Sequence, residues 1–263
     1  MLENKDRIGN FTSSEIYNLC AGDDVSKPNK PFYTYIEEKI IERKIHRSIS
    51  TGASSRSMVW GKLLENYVFQ NLGVEKPNIL RDIRVAQNGD EYEMLHKQTF
   101  VNPNPKYPFW AGSVDFLVKG KKVSELKCYQ LKNHVSYFLA LFEAKETGDL
   151  SGVKKGFAQE YWQMVSNARI HKTPKMEAIL FVPYESEMEA IRELVNDPEY
   201  LSKAGLTYND CSFVEYSENV NLAVLPNDSE IPNLALFEFD VPEKDIIFLE
   251  TRMGMAGKLL IKS

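Results

Sequence analysis

The sequence predicts an α/β protein. Segments with helical period alternate along the chain with short strand-like runs, and one pair of those runs closes as a hairpin over a Gly-containing basic turn. With 263 residues, 43% of them hydrophobic, the chain can bury a large core, so one elaborated domain over 1–263 is expected.

The elements follow in order. Thr12-Ser13-Ser14-Glu15 offers hydroxyls to cap a helix that continues through Ile16, Tyr17, Leu19 and Cys20. Gly22 through Pro31 is a loop. Tyr33 to about Arg47 has helical period and ends in Lys and Arg, which suits the negative end of a helix. Residues 48–54 are small and polar and form a connection. A helix then runs from Ser55 to Leu72 and stops at Gly73. Strands are expected near Ile79–Val85 and Tyr92–Phe100, before the Pro-rich loop 103–108. After the hairpin come a helix around His134–Lys145, a Gly-containing loop at 148–156, and a helix over Phe157–Ile170. Met176–Pro183 reads as a strand and Glu185–Asn196 as a helix. Beyond that point the pattern is mixed.

Composition excludes several classes. No apolar run reaches about 18 residues, so no membrane span is expected. Residues 1–7 lack the apolar core of a secretory signal, and three scattered cysteines form no C-x-x-C pair. A reducing cytoplasm is therefore expected. The four His residues form no metalloprotease pattern, and no phosphate loop ending in Lys-Ser/Thr occurs, so no nucleotide cofactor is expected. Charge is uneven. Residues 176–263 hold 17 acidic and 6 basic side chains, against 20 acidic and 26 basic in 1–175. That balance turns the first two-thirds toward a polyanion and leaves an acidic distal part.

The chemistry gathers in the hairpin. Phe116-Leu117-Val118 and Val123-Ser124-Glu125-Leu126-Lys127 flank the turn Lys119–Lys122. Alternation puts Glu125 and Lys127 on one face and Leu126 on the other, and pairing across the turn brings Asp115 toward Glu125. Two neighbouring carboxylates repel and are costly to bury without a cation between them. Mg²⁺ suits that arrangement, with Mn²⁺ open as a substitute, and the Leu126 carbonyl is a further oxygen ligand. A solvated hairpin is the alternative from these residues alone.

Four stretches in this order resemble the lambda exonuclease-like (YqaJ-type) branch of the PD-(D/E)xK nuclease superfamily. Arg7-Ile-Gly-Asn-Phe-Thr-Ser-Ser-Glu15 is similar to an Arg-Leu-Gly…Thr-Ala-Ser-Glu opening. Trp60-Gly-Lys-Leu-Leu-Glu-Asn66 resembles a Gly-x-x-x-Glu helix. Ser113-Val-Asp115 with Ser124-Glu-Leu-Lys-Cys128 resembles Ser-Pro-Asp followed by Glu-Leu-Lys-Cys-Pro, and Phe157-Ala-Gln159-Glu-Tyr-Trp-Gln163-Met resembles a Tyr-x-x-Gln-x-Gln-x-x-Met helix. Val114 and Tyr129 depart from the pattern at two Pro positions, neither of which supplies a catalytic atom.

The resemblance covers about 7–183 and implies a mixed central sheet flanked by helices, with 184–263 an acidic elaboration. It implies that Asp115, Glu125 and the Leu126 carbonyl hold the metal, that Lys127 is the catalytic lysine, and that Glu65 serves a second ion or acts through water. Gln159 and Gln163, one helical turn apart, would face phosphate or a metal-bound water. Arg7, Ser14 and Ser113 would grip a 5′-phosphate, with Ser13 an alternative to Ser14. The basic helix 39–47 and Arg56 are candidate backbone contacts; Trp60 and Trp162 are wedges or core. The implied activity is a Mg²⁺-dependent 5′→3′ exonuclease on double-stranded DNA ends in recombination or repair. A single-strand annealing partner goes with it, and a ring-shaped homo-oligomer is left open. An endonuclease on the same core and a non-catalytic DNA-end or protein-binding module are the alternatives.

Overall fold

The computed structural model describes residues 7–49, 55–72, 92–95 and 98–262. The expected strand at Ile79–Val85 and the helix stop at Gly73 lie outside the described residues, as does most of the connection 48–54.

Two sheets organise the chain. The smaller has the order β1 (Phe11–Thr12), β4 (Trp110–Gly112), β3 (Phe100–Val101). The larger has the order β2 (Glu93–Met94), β5 (Phe116–Val118), β6 (Lys122–Lys127), β7 (Lys175–Phe181), β8 (Leu234–Asp240). β5 and β6 form the expected antiparallel hairpin, with Phe116 opposite Ser124 and Val118 opposite Lys122. β6 and β7 are parallel, and β8 returns antiparallel to β7, so the sheet is mixed.

Alternation along β6 and β7 builds the two faces. Val123, Met176, Ala178 and Leu180 enter one apolar cluster, while Leu126, Ile179 and Phe181 enter the other. The first cluster is covered by α2 (Lys30–Ile45), α4 (Leu131–Thr147), α6 (Ala158–His171) and α11 (Glu243–Lys262). The second is covered by α3 (Arg56–Leu72) with α7 (Met188–Leu194) and α8 (Pro198–Ala204). Each fully buried Leu or Ile in them contributes about 1.5–3 kcal/mol relative to exposure.

Register is pinned by charge. Lys122 is buried and lies 3.2 Å from Glu177 and 2.7 Å from Glu238, which also holds Lys175 at 2.6 Å. Ser124 donates to Glu177 at 2.6 Å. A one-residue slip of β6 would turn Lys122 onto the opposite face and leave the buried Glu177 without its cation.

Several boundaries differ from expectation, and the strand expected at Tyr92–Phe100 is instead two short strands, β2 and β3, in different sheets. α2 begins at Lys30 inside the expected loop, because Pro31 fits the first helical turn, where its missing N–H costs nothing. The expected loop 148–156 contains α5 (Ser151–Gly156), entered as the Asp149 carboxylate accepts from the Ser151 amide at 2.9 Å and anchored by buried Val153. The C-terminal region resolves into α7, α8, α9 (Tyr208–Cys211), α10 (Phe213–Tyr216), β8 and α11. Among the described residues no helix is long and apolar enough to cross a membrane.

His134 on α4 provides a test of this packing. It is fully buried, neither ring nitrogen has a hydrogen-bond partner, and burial pulls its pKa down to about 4 from 6.5. A folded-state pKa below the unfolded value means that the unfolded chain takes up the extra proton. Stability is therefore full above about pH 6.5 and falls as pH drops toward 4, by about 2 kcal/mol between pH 7 and pH 5. Chemical denaturation at those two pH values should show this drop, and His134→Leu should remove most of it. An equal drop in the variant would assign the slope to other groups.

Candidate active site

The site sits where the C-terminal end of β6 meets α6. Continuing the β5–β6 register past Phe116 and Ser124 sets Asp115 opposite Glu125. The Leu126 amide donates to Asp115 Oδ2 at 2.8 Å and fixes that carboxylate against the strand. Glu125, only 2% exposed, points toward α6 with Lys127, while Leu126 packs into the opposite core cluster.

α6 supplies amides to both groups. Gln163 Nε2 donates to Glu125 Oε2 at 2.7 Å, and Gln163 Oε1 accepts from Lys127 Nζ at 3.0 Å. Lys127 Nζ lies 3.8 Å from Glu125 Oε2. Asn167 donates to Glu125 Oε1 and also to the Ser113 carbonyl, the latter at 2.8 Å. Both oxygens of Glu125 are thus held, and each keeps a second lone pair for another partner. Gln159 is exposed and donates to the Ser14 carbonyl at 3.2 Å.

The electrostatics are those of a crowded anionic site. Burial and then the Asp115 carboxylate push the Glu125 pKa well above the ordinary carboxylate range, while Lys127 and the Asn167 amide pull it back. Burial lowers the pKa of Lys127, but Glu125, Asp115, Glu65 and Glu160 outweigh it, so the group sits above its usual value as an ammonium. Glu65 is therefore near enough to act on both groups. Among the described residues no three Asp, Glu, His or Cys side chains close into a metal-binding cluster. The donors brought together are the carboxylates of Asp115 and Glu125.

A small cleft of about 50 Å³ adjoins this centre, lined by Arg7, Thr12, Ser13, Ser14, Thr99, Gly112, Ser113 and Gln163. Arg7, Ser14 and Ser113 thus share one cavity. Arg7 donates to Ser14 Oγ at 3.0 Å, and Ser113 lies 3.1 Å from Thr99 Oγ1. Ser13 is buried, with its hydroxyl 2.7 Å from that of Ser166, whereas Ser14 is half-buried and carries the Arg7 contact. Gln163 belongs to both places, since it also binds Glu125 and Lys127.

In the basic helix Lys39 turns inward to Glu15 and Glu42, and Arg43 donates to the Gly9 carbonyl at 2.7 Å, whereas Lys44 and Arg47 are exposed. Trp162 is buried against Phe248, and Trp60 is buried in the second cluster. Sequence reasoning missed Asn167. Its signal was present, because Asn167 continues the Gln159–Gln163 spacing by one more turn on the same helix face.

Gly112 explains why α6 can lie so close to β4. A Cβ there would fall inside the contact shells of Asn167 Oδ1 and Ser13 Oγ and 2.8 Å from Ile170 Cδ1. Gly112→Ala should cost about 1–3 kcal/mol by overpacking and displace Asn167 from Glu125. Denaturation midpoints should fall and cleavage should fall with them; a variant as stable as wild type would mean α6 tolerates the shift.

Comparison with known proteins follows this geometry. The family model for the YqaJ-like viral recombinase domain matches residues 4–172. Among curated proteins, none matches the sequence. The fold is similar to that of LHK-Exo, an alkaline exonuclease from Laribacter hongkongensis, at 13% identity over 97% of this chain and 90% of that one, TM-score 0.55. A complex of LHK-Exo with dAMP gives 13% identity over 98% and 91%, TM-score 0.57. A phage-related exonuclease from Haemophilus somnus 129PT gives 12% identity over 98% and 97%, TM-score 0.58.

Proposed function

The chain belongs to the YqaJ-like viral recombinase domain family, and from that membership we propose that it is a Mg²⁺-dependent 5′→3′ exonuclease acting on double-stranded DNA ends. The observation that carries the reading is the double attachment of Gln163. One amide binds Glu125 and Lys127 and also lines the cleft that holds Arg7, Ser14 and Ser113. A terminal phosphate seated in that cleft would thus be in register with the carboxylate centre.

The donor set fits a hard cation. A buried Glu125 beside Asp115 is a like-charged pair, Lys127 lies 3.8 Å from Glu125, and both carboxylates and the Leu126 carbonyl offer oxygen alone. Those three would hold Mg²⁺, and Glu65, whose charge acts on Glu125 and Lys127, would serve through water. The ion would supply Lewis-acid stabilisation of charge on the phosphate and the leaving 3′-oxygen. Lys127, an ammonium in this field, donates to the phosphate and orients the attacking water; it becomes a better proton acceptor only as the carboxylate field around it is offset. Gln159 and Gln163 orient the same oxygens by hydrogen bonding.

The alkaline exonuclease and phage-related exonuclease with this fold support exonuclease over endonuclease. The three free, buried cysteines fit a reducing cytoplasm, and a recombination role brings a single-strand annealing partner. Digestion of linear duplex with and without 5′-phosphate, beside supercoiled circles, tests the reading. Mononucleotide release from phosphorylated ends, with circles untouched, is the expected result. Nicked circles would replace it with the endonuclease.

A further inference from the structure

A second, larger groove of about 640 Å³ lies on the other side of the β6 exit, lined by residues that include Arg56, Trp60, Gln130, Phe213, Tyr216 and Asn221. It shares no lining residue with the Arg7 cleft. Its place in the fold is set by Gly61. The Cys128 carbonyl would lie 3.1 Å from a Cβ at that position, so glycine lets α3 press directly on the chain just after Lys127. Trp60 and Arg56 are thereby carried against the catalytic strand. Gln130 follows Lys127 by three residues, at most about 10 Å along the chain, which is within one or two nucleotides of the scissile phosphate.

The chemistry of the lining selects its ligand. Tyr216 is 79% exposed and offers an open aromatic face, and the Arg56 guanidinium lies 5.5 Å from the Phe213 ring centre. Gln130 and Asn221 contribute amides that pair with the edges of planar heterocycles. Trp60 Nε1, buried in the floor, has no hydrogen-bond partner. Among the described residues Arg56 is the lining's one cation and Glu218 its one carboxylate, a balance that favours a neutral group over a phosphate. Aromatic face, guanidinium and amides together suit a nucleobase. The volume falls within the range of ligand-binding pockets.

We propose that this groove is a nucleobase subsite, which takes a base splayed from the DNA strand next to the scissile phosphate and stacks it on Tyr216. The proposal rests on the nuclease reading above and adds to it a determinant of how the strand is held during cleavage. The polar edge groups would orient the base, and the stacking face would accept any of the four.

Equilibrium binding in EDTA separates this from catalysis. The probe is a 5′-phosphorylated duplex, intact or with one abasic site placed in turn at each of the first few positions of the phosphorylated strand. Wild type should lose at least about fivefold in affinity at one of those positions, the lower end of what one lost stacking contact costs. Tyr216→Ala should bind the intact probe more weakly by a similar factor and be indifferent to that abasic site. Tyr216→Phe, which keeps the ring, should restore wild-type behaviour, and circular dichroism checks that each variant is folded. A flat abasic scan for wild type, or Tyr216→Ala binding the intact probe as wild type does, would overturn the subsite while leaving the nuclease in place. Failure of wild type to bind any of these duplexes would defeat the DNA reading on which it stands.

Discussion

Lys127→Ala should reduce Mg²⁺-dependent DNA hydrolysis by about 10²–10³-fold or more, the range found when one preorganised transition-state donor is removed. The side chain is positioned for that role and little else. Its ammonium is held at 3.0 Å by Gln163 Oε1 and at 3.8 Å by Glu125, and the acidic groups around it keep it charged. Its loss also strips buried Glu125 of the ammonium 3.8 Å away, so stability should fall as well, and the denaturation curves separate that loss from the loss of chemistry. Removal takes one positive charge from beside Asp115 and Glu125, which raises the cost of keeping both ionised and draws a cation in more strongly. The variant should therefore bind Mg²⁺ no more weakly than wild type, and added Mg²⁺ should not restore its activity. Lys127→Arg should not rescue, because a planar fork cannot reproduce a compact ammonium beside the Gln163 amide. Single-turnover cleavage at saturating Mg²⁺, with denaturation curves alongside, checks this. Activity of Lys127→Ala within threefold of wild type would remove the lysine from the mechanism.

How much of this was legible depends on how local each feature is. Asp115 immediately precedes β5, and Glu125 and Lys127 lie on β6, across a three-residue turn, so strand alternation alone places them together. Gln159 and Gln163 were legible for the same reason, as neighbours one turn apart. Asn167 lay on the same line and was passed over because α6 is also buried at Met164, Val165 and Ala168, which hides a polar stripe among apolar residues. β8 and α11 were not legible. α11 buries Leu249, Met253, Ala256 and Leu260 at helical spacing, but it also buries Asp245 and Arg252 and exposes Ile247, Leu259 and Ile261, which blurs the edge of its apolar face. Lys122, Ser124 and Glu177 likewise occupy interior strand positions and satisfy one another only across β6 and β7. The base groove joins Trp60, Gln130 and residues 213–222, pieces far apart in sequence that no local pattern links.

Arg7→Ala should abolish the preference for a 5′-phosphate while leaving measurable cleavage of unphosphorylated ends. The cleft is assembled from three distant segments, and Arg7 is its cation; Ser14 and Ser113 add hydroxyls. A guanidinium can fork onto two phosphate oxygens, and a hydrogen bond to a charged group contributes about 1.5–3 kcal/mol, so one or two of them correspond to a preference of roughly 10- to 10⁴-fold. The loop carrying Arg7 is clamped from α2. Glu42 accepts from the Gly9 amide at 2.9 Å, and Arg43 donates to the Gly9 carbonyl at 2.7 Å. Gly9 has a φ of +66°, which glycine adopts without strain, and a Cβ there would strike the Arg43 side chain. Arg7 is exposed and donates to Ser14 Oγ, so its truncation should not unfold the clamp that holds its own loop. Rates on phosphorylated ends should then fall toward those on hydroxyl ends, and the salt dependence of end binding should weaken as a phosphate contact is lost. The loss should appear chiefly in KM if Arg7 only seats the end. It should appear in kcat as well if the seated phosphate sets the scissile bond in line with Lys127, as the shared Gln163 implies. Arg7→Ala retaining the wild-type ratio between the two end types would empty the cleft of its assigned role, with the carboxylate centre unaffected.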